Sequence, residues 1–278
     1  MSISHAPAAA ERRTRLERHL RERLETGRKL FVPYLTAGLP SPQDFVDLVA
    51  EISEVADAIE VGLPFSDPIM DGPVIQEASG RALAAGVSVD AALGLIEPAS
   101  SRAAVPLLAM TYYNPVHRMG AAAFAARLAG AGGAGAIVPD LPYEESGELS
   151  GALAGRELAF IQLVAPTTAP ERAARLARAS TGFVYAVSRL GVTGVREALE
   201  AAAREVVERV RPHSRLPVLL GIGISTAEQA QQAAEVADGV IVGSAMMRHV
   251  LAGDLAGAVE LARRMRAALG RGAVGGMG

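Results

Sequence analysis

The sequence predicts an α/β chain folded as a (β/α)8, or TIM, barrel with an extra N-terminal helix ahead of the first strand. Three observations carry that expectation. Eight short aliphatic or β-branched runs alternate with longer alanine-rich runs of helical length, and unbroken apolar runs are what strands buried on both faces require. A length of 278 residues suits a barrel of this kind as one domain. The turn after the first strand reads Ala37-Gly38-Leu39-Pro40, where a doubly wound open sheet carries a glycine-rich loop.

The elements follow in order. Near the start, Leu16, Leu20 and Leu24 recur every four residues. Arg12, Arg13, Arg15, Arg18, Arg21 and Arg23 alternate there with Glu11, Glu17, Glu22 and Glu25. That pattern is an amphipathic helix with an ion-paired outer face, in preference to a basic nucleic-acid arm. The first strand is Leu30–Thr36, and Ser41-Pro42 opens a helix over 42–54. Strand two, Ala58–Leu63, precedes a helix over 73–98; strand three, Val105–Thr111, precedes one over 119–130. Strands four (Gly135–Pro139) and five (Ala159–Val164) precede helices over 144–155 and 170–179, the latter opened by Thr168, Ala169 and Pro170. Strand six, Phe183–Val187, leads to a helix over 195–211. Strand seven, Pro217–Gly221, leads to one over 225–236 that starts on Ser225-Thr226 with Glu228 soon after. Strand eight, Gly239–Val242, leads to a helix over 244–268. No linker interrupts the series, so 11–269 reads as a single barrel domain, with 1–10 and the glycine-rich 271–278 as flexible tails.

Composition narrows the function. Half the residues are hydrophobic, 21% are charged and only 4% are aromatic, with no Trp, which implies a soluble protein with an aliphatic core. A formal charge of −3 gives no global reason to bind nucleic acid. The absence of cysteine excludes disulfides, thiolate metal sites and cysteine nucleophiles. The histidines, His5, His19, His117, His213 and His249, are too scattered to form a ligand pair, so no metal is expected. No apolar run spans a bilayer and the start lacks a secretory layout. A cytoplasmic enzyme that binds neither membrane nor nucleic acid is the expectation.

Barrel enzymes carry their chemistry at the C-terminal ends of the strands. Two carboxylates stand there. Glu60 lies inside the aliphatic second strand, and Asp71 lies in the loop after it. A carboxylate in an apolar strand is either satisfied by an Arg or a backbone donor, or is an acid/base group whose raised pKa lets it hold a proton. Asp71, followed by Gly72, reads by itself as an ordinary turn residue first. At the other end of the chain, strand six runs into 188–194, strand seven into Gly221-Ile222-Gly223-Ile224-Ser225, and strand eight into Gly243-Ser244-Ala245. Glycines where strands give way to helices let backbone N–H groups approach an anion, the usual phosphate cradle of barrels. The residues alone therefore point to a small phosphorylated substrate.

Several motifs together resemble the tryptophan synthase α-subunit family. They are Phe31-Val32-Pro33-Tyr34 with Thr36, Ile59-Glu60-Val61-Gly62-Leu63-Pro64-Phe65-Ser66-Asp67-Pro68 with Asp71-Gly72-Pro73, Thr111-Tyr112-Tyr113-Asn114-Pro115, Pro139-Asp140-Leu141-Pro142, Gly191-Val192-Thr193-Gly194, Gly221–Ser225 and Gly243-Ser244. Their order and spacing cover roughly Leu16 to Leu269, and the leucine-striped helix matches the helix that precedes the first strand in that family. The resemblance implies cleavage of indole-3-glycerol phosphate to indole and glyceraldehyde 3-phosphate, with Glu60 as general acid/base and Asp71 holding the indole N–H. It implies phosphate binding by Gly194, Gly223, Gly243 and Ser244. Tyr34, Tyr112, Tyr185 and Ile222 become substrate-pocket residues, although each of the tyrosines also reads as packing. Arg189 and Thr193 fall in a segment similar to the family's lid. Asp67, Pro68 and Asn114 match positions facing a β subunit, which carries pyridoxal phosphate in an α2β2 heterotetramer; no cofactor is expected in this chain. Leu190 and Ile222 depart from the family pattern, at lid and pocket. A stand-alone lyase and a non-catalytic activating subunit are the alternatives; a phosphosugar isomerase barrel lacks the Pro64–Pro68 loop.

Overall fold

The computed structural model describes residues 13–187, 196–221 and 223–270, with backbone only for 196–202. The expected tails at 1–10 and 271–278, and the site positions Arg189, Thr193, Gly194 and Ile222, lie outside the described residues. Eight parallel strands close into a barrel in sequence order: β1 (Leu30–Thr36), β2 (Ile59–Gly62), β3 (Leu107–Met110), β4 (Gly135–Ile137), β5 (Ala159–Val164), β6 (Val184–Val187), β7 (Val218–Gly221) and β8 (Gly239–Val242). β8 returns to pair with β1, Leu30 opposite Gly239. The bounds of β1, β5 and β8 match the sequence reading. The expected start of β3 at Val105 is two residues early, because Pro106 has no N–H to give the ladder; its carbonyl still accepts from Ile59 at 3.0 Å.

Helices flank the strands: α1 (Arg15–Glu25), α2 (Pro42–Ser53), α3 (Pro73–Ala84), α4 (Val89–Arg102), α5 (Tyr113–Met119), α6 (Ala121–Gly130), α7 (Gly147–Ala154), α8 (Pro170–Ala179), α9 (Arg196–Val210), α10 (Ala227–Val236), α11 (Ser244–Leu251) and α12 (Leu255–Ala268). Two helices read as continuous are each broken in two. The stretch 73–98 is interrupted after Ala84, where Gly86 takes φ +84° and the Ser88 side chain accepts the Ala91 N–H to start α4. The stretch 244–268 breaks at Gly253 (φ +74°), and Asp254 caps α12 by accepting from Gly257. Glycine relieves the Cβ penalty of the left-handed turn that ends one helix, and the capping oxygen satisfies an orphan N–H of the next. The short α5 was not anticipated.

Strand residues alternate in direction. Leu30 and Val32, Ala58, Leu108, Ile137, Ala159 and Ile161, Phe183 and Tyr185, Leu219 and Ile241 form one cluster inside the barrel. Their neighbours Phe31, Leu35, Ile59, Val61 and Ala109 pack outward with the helices. Leu16 and Leu20 of α1 belong to the inner cluster and are fully buried. A Cβ on Gly182, just before β6, would stand 2.6 Å from Leu16 Cδ2. α1 thus plugs the mouth where the strands begin. Side chains seal the strand starts beside it: Asp57 accepts the Phe31 N–H at 2.9 Å, Asp238 that of Val218 at 2.8 Å, and the Thr181 hydroxyl that of Phe160 at 2.7 Å. With this end closed, the opening available to a small molecule is at the C-terminal ends of the strands.

Candidate active site

The inward positions turn polar toward that opening. On β1 the inward series Leu30, Val32 ends in Tyr34, and on β2 the series Ala58, Glu60 ends in Gly62. Tyr34 and Glu60 are direct register partners. Glu60 is 1% exposed, and its Oε1 has no hydrogen-bond partner. No ion pair reaches it among the described residues, so the reading of a structurally satisfied carboxylate fails there. Burial, and then the neighbouring charge of Asp71, push the Glu60 carboxyl from its ordinary 4.5 up to about 8. It is a buried acid that keeps its proton at neutral pH.

Asp71 reaches the same space from the loop after β2. Its Oδ2 accepts the Tyr112 hydroxyl at 3.0 Å, and that hydroxyl accepts the Met70 N–H at 2.9 Å. Burial raises the Asp71 carboxyl, and the Tyr112 hydrogen bond works against that rise. The two carboxyls therefore differ: Glu60 is unpartnered and fully enclosed, whereas Asp71 is anchored by a donor that favours its charge. Phe65 stacks on Tyr112 with centroids 5.1 Å apart and holds the ring. Tyr112, which the sequence left between pocket and packing, is joined to Asp71.

Two glycines make room for the tyrosines, a role the sequence reading gave to neither. A Cβ on Gly62 would lie 1.9 Å from the Tyr34 hydroxyl oxygen, and a Cβ on Gly221 would lie 2.5 Å from that of Tyr185. Gly221, read as part of a phosphate loop, is a spacer for the Tyr185 ring. The available signal was a glycine at an inward strand position, which marks close approach by another group. Thr36 was noted only as part of a motif. Its hydroxyl lies 3.3 Å from that of Tyr34 and donates to it. Tyr185, 6% exposed in the inner cluster, has its phenol pKa raised well above 10 by burial and then by the charge of Glu60.

Next to β1 at the mouth, Gly243 directly precedes α11, whose first residue is Ser244, and Gly223 takes φ +84°. A Cβ on Gly243 would touch Tyr34 Cβ at 3.6 Å, so this helix start borders the carboxylate side of the site. The N-cap of α11, Gly243, has no side chain to cap the helix, and the first-turn N–H groups of α11 lack intrahelical acceptors. Asp67 and Asn114 lie exposed on the outer rim, near Ile69 (81% exposed) and Met70 (57% exposed). Among the described residues no three His, Asp or Glu side chains come together as a metal site.

A model of the tryptophan synthase alpha chain family matches residues 20–269. The chain belongs to the tryptophan synthase alpha chain family. It is 45% identical over 223 residues to the tryptophan synthase alpha chain of Geobacillus stearothermophilus, covering 80% of this chain and 82% of that one. It is 42% identical over 252 residues to that of Streptomyces avermitilis, covering 90% and 91%. Among solved structures, tryptophan synthase from Mycobacterium tuberculosis superposes with a TM-score of 0.86 at 42% identity, over 94% of this chain and 100% of that one. The alpha subunit from Legionella pneumophila gives 0.84 at 33% identity, over 93% and 99%. As an alpha-chain family member the protein is a lyase that cleaves indole-3-glycerol phosphate. The expectations of family, barrel fold and reaction are borne out.

One consequence concerns the strand glycine. Gly62→Ala forces the Tyr34 ring aside in a close-packed interior, which costs about 1–3 kcal/mol. The expected result is a lower urea midpoint together with reduced indole release; an unchanged midpoint would show that the ring moves freely.

Proposed function

We propose that Glu60 is the general acid of indole-3-glycerol phosphate cleavage and that Asp71 is the charge that stabilises the protonated ring. The observation that carries this reading is the enclosed, unpartnered Glu60 carboxyl, protonated at neutral pH, with Asp71 anchored beside it. Glu60 gives its proton to indole C3, and the positive charge spreads to the ring nitrogen, whose N–H Asp71 accepts. The glycerol 3′-hydroxyl then gives its proton to the Glu60 carboxylate, which thereby acts as the base, and becomes the aldehyde. The bond between C3 and the glycerol carbon breaks, and its electron pair returns to the ring to give indole. The different surroundings of the two carboxyls suit them to the two tasks.

In the same proposal the substrate phosphate sits on backbone N–H groups of Gly194, Gly223, Gly243 and Ser244, with the Ser244 hydroxyl added. Support comes from the glycine and helix start at Gly243-Ser244 and the positive φ of Gly223. Tyr34, Tyr112, Tyr185 and Ile222 line the indole side. Arg189 and Thr193 close over substrate, Thr193 meeting Asp71.

The family works with a β subunit, and the proposal extends this to a docking face on Asp67, Pro68 and Asn114, in an α2β2 assembly whose pyridoxal phosphate belongs to the partner. The exposed Ile69 and Met70 beside that face favour it. No single helix among the described residues is long and apolar enough to cross a membrane, and a cytoplasmic site of action is proposed. The test is indole release from indole-3-glycerol phosphate, alone and titrated with a tryptophan synthase β subunit. Strong activation supports the docking reading. Full activity without response to the β subunit points to a stand-alone lyase, and no indole under either condition overturns the catalytic reading.

A further inference from the structure

We propose that Tyr34 is a positioning residue for Glu60: its hydroxyl donates to the carboxylate that Glu60 becomes once it has given up its proton. The inference rests on the reading of Glu60 as the acid and adds what supports its conjugate base.

A general acid sealed in an apolar barrel has a difficulty. When the proton moves to carbon, an ionised carboxylate is left 1% exposed, with an oxygen that no described group bonds. Burying such a charge without a donor is costly, and the cost would be felt in the proton-transfer transition state. A donor must come from a neighbour. Tyr34 is the register partner of Glu60 on the adjacent strand, and both residues point into the barrel. Its hydroxyl accepts from Thr36, so its own proton is directed elsewhere. Gly62, the next inward position after Glu60, leaves open the space in which that hydroxyl stands. Burial, with the charges of Asp71 and Glu60 nearby, keeps the Tyr34 phenol protonated far above neutrality, so it remains a donor. In the proposal, rotation about the Glu60 side-chain torsions brings the ionised carboxylate to it.

The other titratable groups around Glu60 are Asp71 from the loop after β2, Tyr112 beyond β3 and Tyr185 on β6. The Tyr112 hydroxyl is committed to Asp71. Tyr185 also lies within reach of the Glu60 charge, but of the two tyrosines Tyr34 is the one on a strand paired with β2 and the one whose hydroxyl is oriented by a donor.

The experiment is a titration of the Glu60 carboxyl by carbon-13 NMR in the unliganded protein, for wild type, Tyr34→Phe, Thr36→Val and Tyr185→Phe, with the pH profile of kcat beside it. Loss of a hydrogen bond to the charged form should raise the Glu60 pKa by about one unit in Tyr34→Phe. Thr36→Val, which removes only the group orienting the hydroxyl, should shift it less in the same direction. The falling limb of kcat should move up with it, kcat should drop severalfold, and KM should hold. A Glu60 pKa that is unchanged in Tyr34→Phe, or that moves only in Tyr185→Phe, overturns the proposal. Because the NMR arm needs no turnover, it reads the contact even if Glu60→Gln were to keep its rate and the acid assignment itself fell.

Discussion

Glu60→Gln is expected to lose indole release by about a thousandfold or more, the scale of a positioned acid, while becoming more stable than the wild type at pH 8. The two effects share one cause. The wild-type carboxyl has an ordinary value of 4.5 when unfolded and about 8 when folded. Between those values the unfolded chain has released a proton that the native state still holds, so stability falls as pH rises through that window and levels off above it. Below about pH 4.5 both states are protonated, and Glu60 contributes nothing to the slope. The amide never ionises and avoids the penalty, although its own buried N–H donors offset part of the gain. A net stabilisation of about 2 kcal/mol at pH 8 follows as an order of magnitude. It should shrink toward zero, or reverse, near pH 4. Urea unfolding of both proteins at pH 4 and pH 8, with indole release on the same samples, measures it. A variant that keeps most of its rate refutes the acid assignment. A variant that is inactive but whose stability advantage over the wild type is no larger at pH 8 than at pH 4 refutes the raised carboxyl.

How much of this could be read from residues alone depends on how local the cause is. Ala159–Val164 is an apolar run broken only by Gln162, and β5 has those bounds. Glu60 stood out because a charge inside such a run has few structural excuses. The break between α3 and α4 was missed although Gly86 and Ser88 mark it, because the alanine-rich pattern continues on both sides and outweighs a single glycine. The tie from Tyr112 to Asp71 could not be seen. It joins residues 41 apart in the chain, and it exists only because β3 lies beside β2 and both following loops turn over the barrel mouth. The partnership of Gly62 with Tyr34 is of the same kind. Each residue has a local explanation, as a strand glycine or as an aromatic in a core, and only the register of β1 on β2 shows that one makes room for the other.

The same dependence on closure makes Asp57 the residue whose loss should cost the fold most. It is fully buried in the turn before β2, at the end of the barrel away from the site. Its Oδ2 accepts the Phe31 N–H at 2.9 Å and Arg266 Nη1 at 2.7 Å, and its own N–H donates to the Phe31 carbonyl at 2.8 Å. Arg28 Nη2 stands 2.8 Å from Oδ1, an ion-pair contact rather than a hydrogen bond, with Arg23 at 4.0 Å. Arg266 also donates to the Lys29 carbonyl at 2.5 Å. One carboxylate thus joins the start of β1, the α1–β1 connection and α12, the last helix. Asp57→Ala strands the Phe31 N–H and a mostly buried Arg266. Breaking a buried pair costs about 3–5 kcal/mol, and the low end applies because Arg23 and Arg28 are exposed enough to turn to water. Asp57→Asn keeps an acceptor for Phe31 and should cost about half as much. Urea unfolding should show a lower midpoint at an unchanged slope, with the pH profile of kcat for the folded fraction unmoved, since the site is at the other end of the strands. A loss under 1 kcal/mol in Asp57→Ala would mean that the leucines of α1 hold this end of the barrel closed without the charge network.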